Sequence, residues 1–308
     1  MVNLHEEVRK NRRKSFITLA LFTLFCAVIF GLAVALFTAE ELIESRFDTF
    51  LFFYLIVMSF VFIYIIYFLK QGDKMILKAT GAKEVSKENY PYLYHTTEAL
   101  ALAAGMGGVT PKCYVIEDTA LNAYATGFKP ENSHIVVTTG LLDKLDRQEI
   151  EGVLAHEMSH IKNEDIKLML YVAGLIGVFT LIGTFCYHIM ISPSRGKDSG
   201  KGKIVFLILW LLFSVIGVFF ATLFKLELSR KREYMADSSG ALLTRYPEGL
   251  ASALEKIKND PDPLVDKANK ATAHLFISSP FRKGGLFTNL FATHPPIDSR
   301  IARLRGKE

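Results

Sequence analysis

Three residues with the chemistry of a metal site lie close together in the middle of the sequence. His156, Glu157 and His160 form the pattern His-Glu-x-x-His within the stretch VLAHEMSHIKNEDI. On an α-helix, residues four positions apart lie on the same face, so the two imidazoles can bind one ion. The glutamate between them lies one position further round, where its carboxylate can reach a water molecule on that ion. The pattern is typical of zinc-dependent peptide hydrolysis, so we expect two metal ligands and a catalytic general base.

The pattern requires a helix, and the surrounding sequence predicts one. Asp146, followed three residues later by Glu149, is typical of a capping box at a helix N-terminus. Apolar residues then recur at helical spacing, and neither proline nor glycine occurs between 153 and 171. We therefore expect the motif helix to continue without a break into the apolar run that follows.

A catalytic zinc site usually has three protein ligands, so a third is expected elsewhere. Glu233, in SRKREYMAD, is the candidate, and Asp237 follows four residues later on the same predicted helix face. His160 precedes the third apolar run by 8 residues, and Glu233 follows the fourth by 9. In an antiparallel hairpin of two helices, both residues would therefore lie at similar heights above the ends of the apolar runs. We expect Asp237 to accept the outer N–H of a ligand histidine. The alternative for Glu233 is a solvated carboxylate paired with a neighbouring basic residue.

Two further segments supply candidates for contacts to a substrate. His294, in FATHPPIDSR, is the first candidate for stabilising an oxyanion, with Arg300 as a partner that orders the segment. The alternative is a histidine on a surface turn. Asn122, Ala123 and Tyr124 lie in a predicted strand whose edge could receive an extended peptide, although a core strand would have the same sequence. The remaining histidines have no neighbours at ligand spacing and are predicted to be packing or surface residues: His5, His95, His134, His188 and His274.

The composition predicts a membrane protein. Half of the 308 residues are hydrophobic, and the mean hydropathy of +0.26 is high for a soluble protein. Basic residues flank the apolar runs, as at a surface of anionic lipid, and no pattern indicates nucleic acid. Cys26, Cys113 and Cys186 have no metal-ligand spacing and indicate no disulfide framework. The apolar residues are concentrated in four runs with almost no charge: 15–37, 51–69, 168–191 and 204–224.

The charges around these runs predict their orientation. By the positive-inside rule, the basic segment 1–14 and the chain after Lys70 lie in the cytosol, and the acidic segment 38–50 lies outside. The first run could instead be a cleaved signal peptide, which would leave the motif on the same side. The basic tip 192–203 opposes the rule, so the second hairpin could be only partly embedded. We expect a multi-pass protein of the cell membrane with a cytosolic site.

The soluble segments predict one α+β domain that is interrupted by an apolar hairpin. Helices are predicted at 88–104, 230–243, 247–258, 286–291 and 297–304, and short strands at 111–116, 121–126, 134–139 and 273–278. The expected organisation is a basic segment with a transmembrane hairpin (1–70), the first part of the metalloprotease domain (71–167), a transmembrane or partly embedded hairpin (168–224) and the second part of the domain (225–308). The expected fold class is membrane α-helical, with four transmembrane helices and a zincin-like α+β metalloprotease domain.

Four segments resemble the HtpX family of membrane-bound zinc metalloproteases, relatives of the CAAX-processing prenyl-protein endopeptidases. HEMSHIKNED resembles the metal helix of that family, SRKREYMAD its third-ligand helix, NAYATG the segment near its substrate edge, and THPP its C-terminal segment. The resemblance covers nearly the whole chain. It implies one Zn²⁺ held by His156, His160 and Glu233, with Glu157 as general base. It also implies a cytosol-facing endopeptidase that degrades misfolded or damaged membrane proteins as part of quality control and the stress response.

Two other functions are compatible with the residues. One is the processing of a dedicated prenyl-like or signal-derived peptide, although the chain lacks the additional spans of the eukaryotic prenyl-protein enzymes. The other is a non-catalytic membrane scaffold with structural zinc, although such a site has no need of a base at Glu157. Spacing and composition alone predict a membrane zinc hydrolase that acts on peptides.

Overall fold

The computed structural model describes residues 47–192, 230–262, 275–278 and 294–307, with Thr272 and scattered positions within 17–31 and 204–215. The basic N-terminal segment, most of the first and fourth apolar runs, the tip 193–203 and the helix predicted at 286–291 lie outside these residues. In chain order the elements are α1 (Phe47–Thr80), β1 (Lys83–Glu84), α2 (Pro91–Ala103), β2 (Lys112–Ile116), β3 (Ala123–Gly127), a 3-10 turn (Pro130–Asn132), β4 (Ser133–Thr138), α3 (Thr139–Lys144), α4 (Arg147–Lys162), α5 (Asp165–Ile191), α6 (Arg230–Thr244), α7 (Pro247–Asn259) and α8 (Ile297–Leu304).

The described residues divide into two compact units. One contains Gly72–Ala173 and the described part of Thr222–Glu308, and the other contains the described parts of Arg13–Gln71 and Gly174–Ala221. Helices α1 and α5 each contribute residues to both units. The first turns of α5 therefore belong to the unit that holds the His-Glu-x-x-His motif.

Two helices in the described part of the chain are long and apolar enough to cross a bilayer. They cover Tyr54–Thr80 and Asp165–Ile191, each with 27 residues. Large apolar side chains such as Phe60 and Phe185 are exposed on them, as expected of surfaces that face lipid. Two of the four predicted spans thus have helical counterparts. The prediction of four transmembrane helices is not confirmed, because the other two runs lie mostly outside the described residues.

A small mixed sheet forms one layer of the motif-bearing unit. Its strand order is β1-β2-β4-β3, with β2 and β4 parallel and both outer pairs antiparallel. The three strands predicted before the motif are confirmed, and β3 lies at the edge. The strand predicted at 273–278 is wrong: residues 275–278 form bends and a turn. One backbone hydrogen bond, from the Ile277 N–H to the Ala123 carbonyl, joins this segment to β3, too few for a ladder.

Helix α4 is the centre of this unit and packs against the sheet, α6 and α7. The predicted capping box is confirmed, since Asp146 accepts from the Glu149 N–H and the Glu149 side chain accepts from the Asp146 N–H. Gly152 allows the close approach of α7, because a Cβ at that position would lie 2.5 Å from the backbone nitrogen of Leu250. The core around α4 contains Ile135, Leu141, Leu154, Met158 and Leu254, all buried.

The motif helix does not continue into the following apolar run, so the prediction of an unbroken helix is wrong. Helix α4 ends at Lys162, and α5 begins anew at Asp165. Between them Glu164 adopts a φ of 57°, in the left-handed region that ends helices. The polar stretch KNED supplies this break without glycine or proline. His160 and the following apolar run therefore do not lie on one straight helix, as the predicted equal heights of His160 and Glu233 require.

Candidate active site

Three buried side chains converge on one point in the motif-bearing unit. The Nε2 atoms of His156 and His160 lie 3.2 Å apart. Glu233 brings one carboxylate oxygen to 3.9 Å from the first of these atoms and the other to 3.6 Å from the second. Ligands of a tetrahedral zinc ion at about 2.0–2.1 Å lie roughly 3.3 Å from one another. The two nitrogens and the carboxylate therefore fit a zinc-type ion in both spacing and donor chemistry.

Two helices bring these candidate ligands together. Helix α4 presents His156 and His160 on one face because they are four residues apart. Helix α6 places Glu233 in its first turn and packs directly along α4. Gly240 makes the approach possible, since a Cβ there would lie 3.0 Å from the backbone nitrogen of His156. The close contact between the two helices fixes the distance between the carboxylate and the imidazoles.

Asp237 and Arg300 form a buried pair behind His156. The Asp237 Oδ1 atom lies 3.0 Å from Nδ1 of His156, the ring nitrogen that faces away from the ligand cluster. Arg300 donates to both oxygens of the same carboxylate, over 2.9 and 2.7 Å. Burial alone would raise the pKa of Asp237, but Arg300 and the hydrogen bond with His156 hold it well below its usual range. The carboxylate therefore stays ionised and can fix the orientation of the imidazole.

Asp165 has the same relationship to His160, and the helical pattern of the sequence does not predict it. Its Oδ2 atom lies 3.1 Å from the Nδ1 atom of His160, and its side chain is fully buried. On a continuous helix, a residue five positions after His160 would lie about 140° away round the axis. Only the break at Glu164 brings the carboxylate to the imidazole. Asp165, the last residue of HIKNED, could have been considered as a partner of His160, but on an unbroken helix it would face away from the imidazole.

His294 lies against Glu233, the third candidate ligand. Its Nδ1 atom is 2.5 Å from a carboxylate oxygen of Glu233, and its Nε2 atom donates to the Phe276 carbonyl over 2.6 Å. Burial would raise the pKa of the Glu233 carboxyl, but the charge and the hydrogen bond of His294 hold it well below its usual range. Both ring nitrogens are therefore engaged within the protein.

Glu157 is buried beside the two imidazoles, with 2% of its surface exposed. Burial raises the pKa of its carboxyl, although the charges of His156 and His160 partly oppose the effect. A carboxylate with a raised pKa is a stronger base. This environment is the one that a general base for water requires.

The proposed substrate edge is occupied by the protein itself. Asn122 uses both ends of its side-chain amide on the backbone of Ser278, donating to the carbonyl and accepting from the N–H. The Ala123 carbonyl accepts from the Ile277 N–H. Tyr124 is fully buried, and its hydroxyl is hydrogen-bonded to Thr80 over 2.6 Å. A peptide can add at this edge only if residues 275–278 move away from it.

Comparison with known proteins assigns the family. Residues 87–308 match the model of peptidase family M48. The protease HtpX homologue of Dictyoglomus thermophilum is 44% identical, over 98% of this chain and 94% of its own length. That of Streptococcus gordonii is 36% identical, over 98% of this chain and 99% of its own. Among solved structures, S. mikatae Ste24p is 22% identical with a TM-score of 0.49, over 94% of this chain and 66% of that one, a likeness on which no assignment rests. The chain is therefore a metalloprotease of peptidase family M48 and belongs to its HtpX proteases.

Proposed function

We propose that the chain is a membrane-embedded, zinc-dependent endopeptidase that cleaves misfolded or damaged membrane proteins on the cytosolic side of the cell membrane. The observation that carries this proposal is the convergence of His156, His160 and Glu233 beside the buried carboxyl of Glu157. The apolar helices at Tyr54–Thr80 and Asp165–Ile191 support attachment to a bilayer. The basic residues that follow Lys70 support a cytosolic site.

The donor set of two imidazole nitrogens and one carboxylate fits a single Zn²⁺ per chain. Bound there, zinc supplies Lewis-acid polarisation of a peptide carbonyl and increases the acidity of a water molecule. Glu157 accepts the proton of the attacking water and delivers it to the nitrogen of the leaving amine. Its raised pKa suits both transfers, because the carboxyl must hold the proton between them.

His294 is the proposed donor to the oxyanion that forms as water attacks the carbonyl. Its Nε2–H now donates to the Phe276 carbonyl. This hydrogen bond must exchange for one with the substrate before His294 can act. Arg300 supports the site indirectly, because it holds the carboxylate that orients His156.

A substrate peptide is proposed to bind in extended form along Asn122 and Ala123, where backbone contacts are independent of side-chain identity. Such contacts suit a protease that acts on many damaged proteins. Residues 275–278 now form the hydrogen bonds with Asn122 and Ala123 that a peptide would need. We therefore expect this segment to shift when a peptide binds.

The proposal is tested by Glu157→Gln in the purified full-length protein. We expect the variant to keep one zinc per chain and to lose cleavage of casein and of a destabilised membrane protein. Glu151→Gln, on the same helix outside the ligand cluster, is the control and should cleave at the wild-type rate. A chelator should abolish wild-type cleavage, and zinc should restore it. Retained cleavage by Glu157→Gln would rule out this base.

Orientation requires a separate experiment. In sealed vesicles, we expect antibody or protease access to the motif-bearing unit from the cytosolic side. Access to residues 192–203 from the opposite side would support a fully spanning second hairpin. Access to both from the same side would show a partly embedded hairpin, and access to the motif-bearing unit from the opposite side alone would contradict a cytosolic site.

A further inference from the structure

We propose that Asp165 is the positioning residue of His160, and that the break between α4 and α5 exists in the fold to build this contact. The metal site would then contain two matched pairs of carboxylate and histidine. The inference rests on the ligand set of the proposed function but not on peptide cleavage.

The geometry of the two pairs is closely similar. Asp165 Oδ2 lies 3.1 Å from Nδ1 of His160, and Asp237 Oδ1 lies 3.0 Å from Nδ1 of His156. All four side chains are buried. In each pair the carboxylate faces the ring nitrogen opposite to the one that points at the partner imidazole. Each imidazole is therefore held with its Nε2 atom directed into the ligand cluster.

The path of the chain explains how Asp165 reaches His160. Helix α4 ends at Lys162, Glu164 takes a left-handed conformation, and Asp165 starts α5. An acidic residue in the first turn of a helix is also stabilised by the helix dipole. The guanidinium of Arg232, which precedes the ligand Glu233, has its Nε atom 3.9 Å from the other Asp165 oxygen. Asp165 thus connects three helices at the ligand cluster, and its carboxylate is held from more than one side.

The chemical consequence concerns the tautomer of His160. A carboxylate at Nδ1 keeps a proton on that atom and leaves the lone pair on Nε2 for a metal ion. It also increases the basicity of the imidazole as a ligand. Without Asp165 the ring could rotate or change tautomer, and one of the three ligands would bind less well.

The test compares Asp165→Asn and Asp165→Ala with wild type in the full-length protein in detergent. Zinc affinity is measured by competition with a chelator, and ligand geometry by the visible absorption of the cobalt-substituted protein. We expect zinc binding to weaken about 10-fold in the Asn variant, which keeps a hydrogen-bonding oxygen, and towards about 100-fold in the Ala variant. The cobalt spectrum should change in both.

Asp73→Asn is the matched control. Asp73 Oδ2 lies 3.2 Å from Nε2 of His134, so this variant also disrupts a largely buried pair of aspartate and histidine. The pair shares no residue with the metal site. We expect wild-type zinc affinity and cobalt absorption from Asp73→Asn, with any loss confined to thermal stability. If the Asp165 variants behave like this control, Asp165 has only a structural role and the inference is overturned.

A measurement on the wild-type protein tests the inference even if the Asp165 variants do not fold. With ¹⁵N-labelled histidine, NMR of the zinc-loaded protein should show His160 bound through Nε2 and protonated at Nδ1. Metal on Nδ1 would overturn the inference. If zinc binding depends on Asp165 while Glu157→Gln still cleaves peptides, the assigned mechanism fails and the inference stands. If Glu157→Gln loses cleavage and zinc binding does not depend on Asp165, the mechanism stands and Asp165 has no positioning role.

Discussion

Arg300 binds Asp237 through two hydrogen bonds, from Nε to Oδ2 over 2.9 Å and from Nη2 to Oδ1 over 2.7 Å. The same Oδ1 atom contacts His156, a candidate metal ligand. Arg300 belongs to α8, the C-terminal helix, and is fully buried. One carboxylate therefore connects the C-terminal helix to the candidate metal site. The arginine matches the planar carboxylate in a way that a lysine cannot.

Replacing Arg300 with methionine is expected to destabilise the protein strongly and to weaken zinc binding. The change leaves Asp237 as a buried carboxylate without its cation, and breaking such a pair costs about 3–5 kcal/mol. The stability and zinc binding of Arg300→Lys should lie between those of Arg300→Met and wild type. Thermal unfolding and zinc stoichiometry in detergent measure the two effects. Arg305→Met, on the same stretch of chain but paired at the surface with Glu248, is the control. Equal stability of Arg300→Met and Arg305→Met would contradict the expectation.

Gly152→Ala is expected to destabilise the motif-bearing unit, although alanine favours helices more than glycine. The added Cβ would lie 2.5 Å from the Leu250 backbone nitrogen and 2.9 Å from the Gly249 carbonyl carbon, atoms that cannot rotate away. Overpacking of this kind costs about 1–3 kcal/mol, against a gain of up to about 1 kcal/mol from helix propensity. Apparent melting temperatures in detergent provide the measurement.

Gly183→Ala is the matched control, because the nearest atom to its Cβ in the described part of the chain would be Ser214 Oγ, at 3.6 Å. Among the residues that the structure describes, this distance is an ordinary van der Waals contact, so the control should be at least as stable as wild type. An unchanged melting temperature for Gly152→Ala would mean that α4 and α7 are less closely packed than their backbones indicate.

Zinc binding is expected to tighten as the pH rises towards 9. In the metal-free protein, burial would lower the pKa of His160, but the Asp165 hydrogen bond and nearby carboxylates raise it to about 9. A raised pKa means that the ring carries an extra proton at all lower pH values. That proton must leave before Nε2 can bind a metal ion, so affinity should fall by about tenfold per pH unit below the pKa.

Calorimetry in two buffers of different protonation enthalpy measures the protons released on zinc binding. We expect release of about one proton from His160 near pH 7, and less release as the pH approaches the pKa. Zinc affinity that is constant between about pH 6.5 and about pH 8.5 would contradict the assignment of the raised pKa to a ligand.

The local sequence predicted the elements that carry the site. The capping box and the shared face of His156 and His160 depend only on residues close in sequence, and both occur within α4. The predicted equal heights of His160 and Glu233 require one straight helix through the motif and the apolar run, which the break at Glu164 excludes. The tertiary structure nevertheless brings Glu233 to the two imidazoles, because α6 packs along α4 at Gly240.

The sequence by itself determined which side chains could bind a metal and which residues would form the helix that presents two of them. It also predicted Asp237 beside one of the histidines, but only the tertiary structure decided which residues contact His160 and Glu233 from outside the cluster. Asp165 reaches His160 through a left-handed residue that the apolar pattern does not encode, and His294 contacts Glu233 at a sequence separation of 61 residues. Periodicity specifies the face of a helix, because neighbouring residues fix it. Hydrogen bonds between distant segments depend instead on how whole helices pack, and packing is a property of the folded chain.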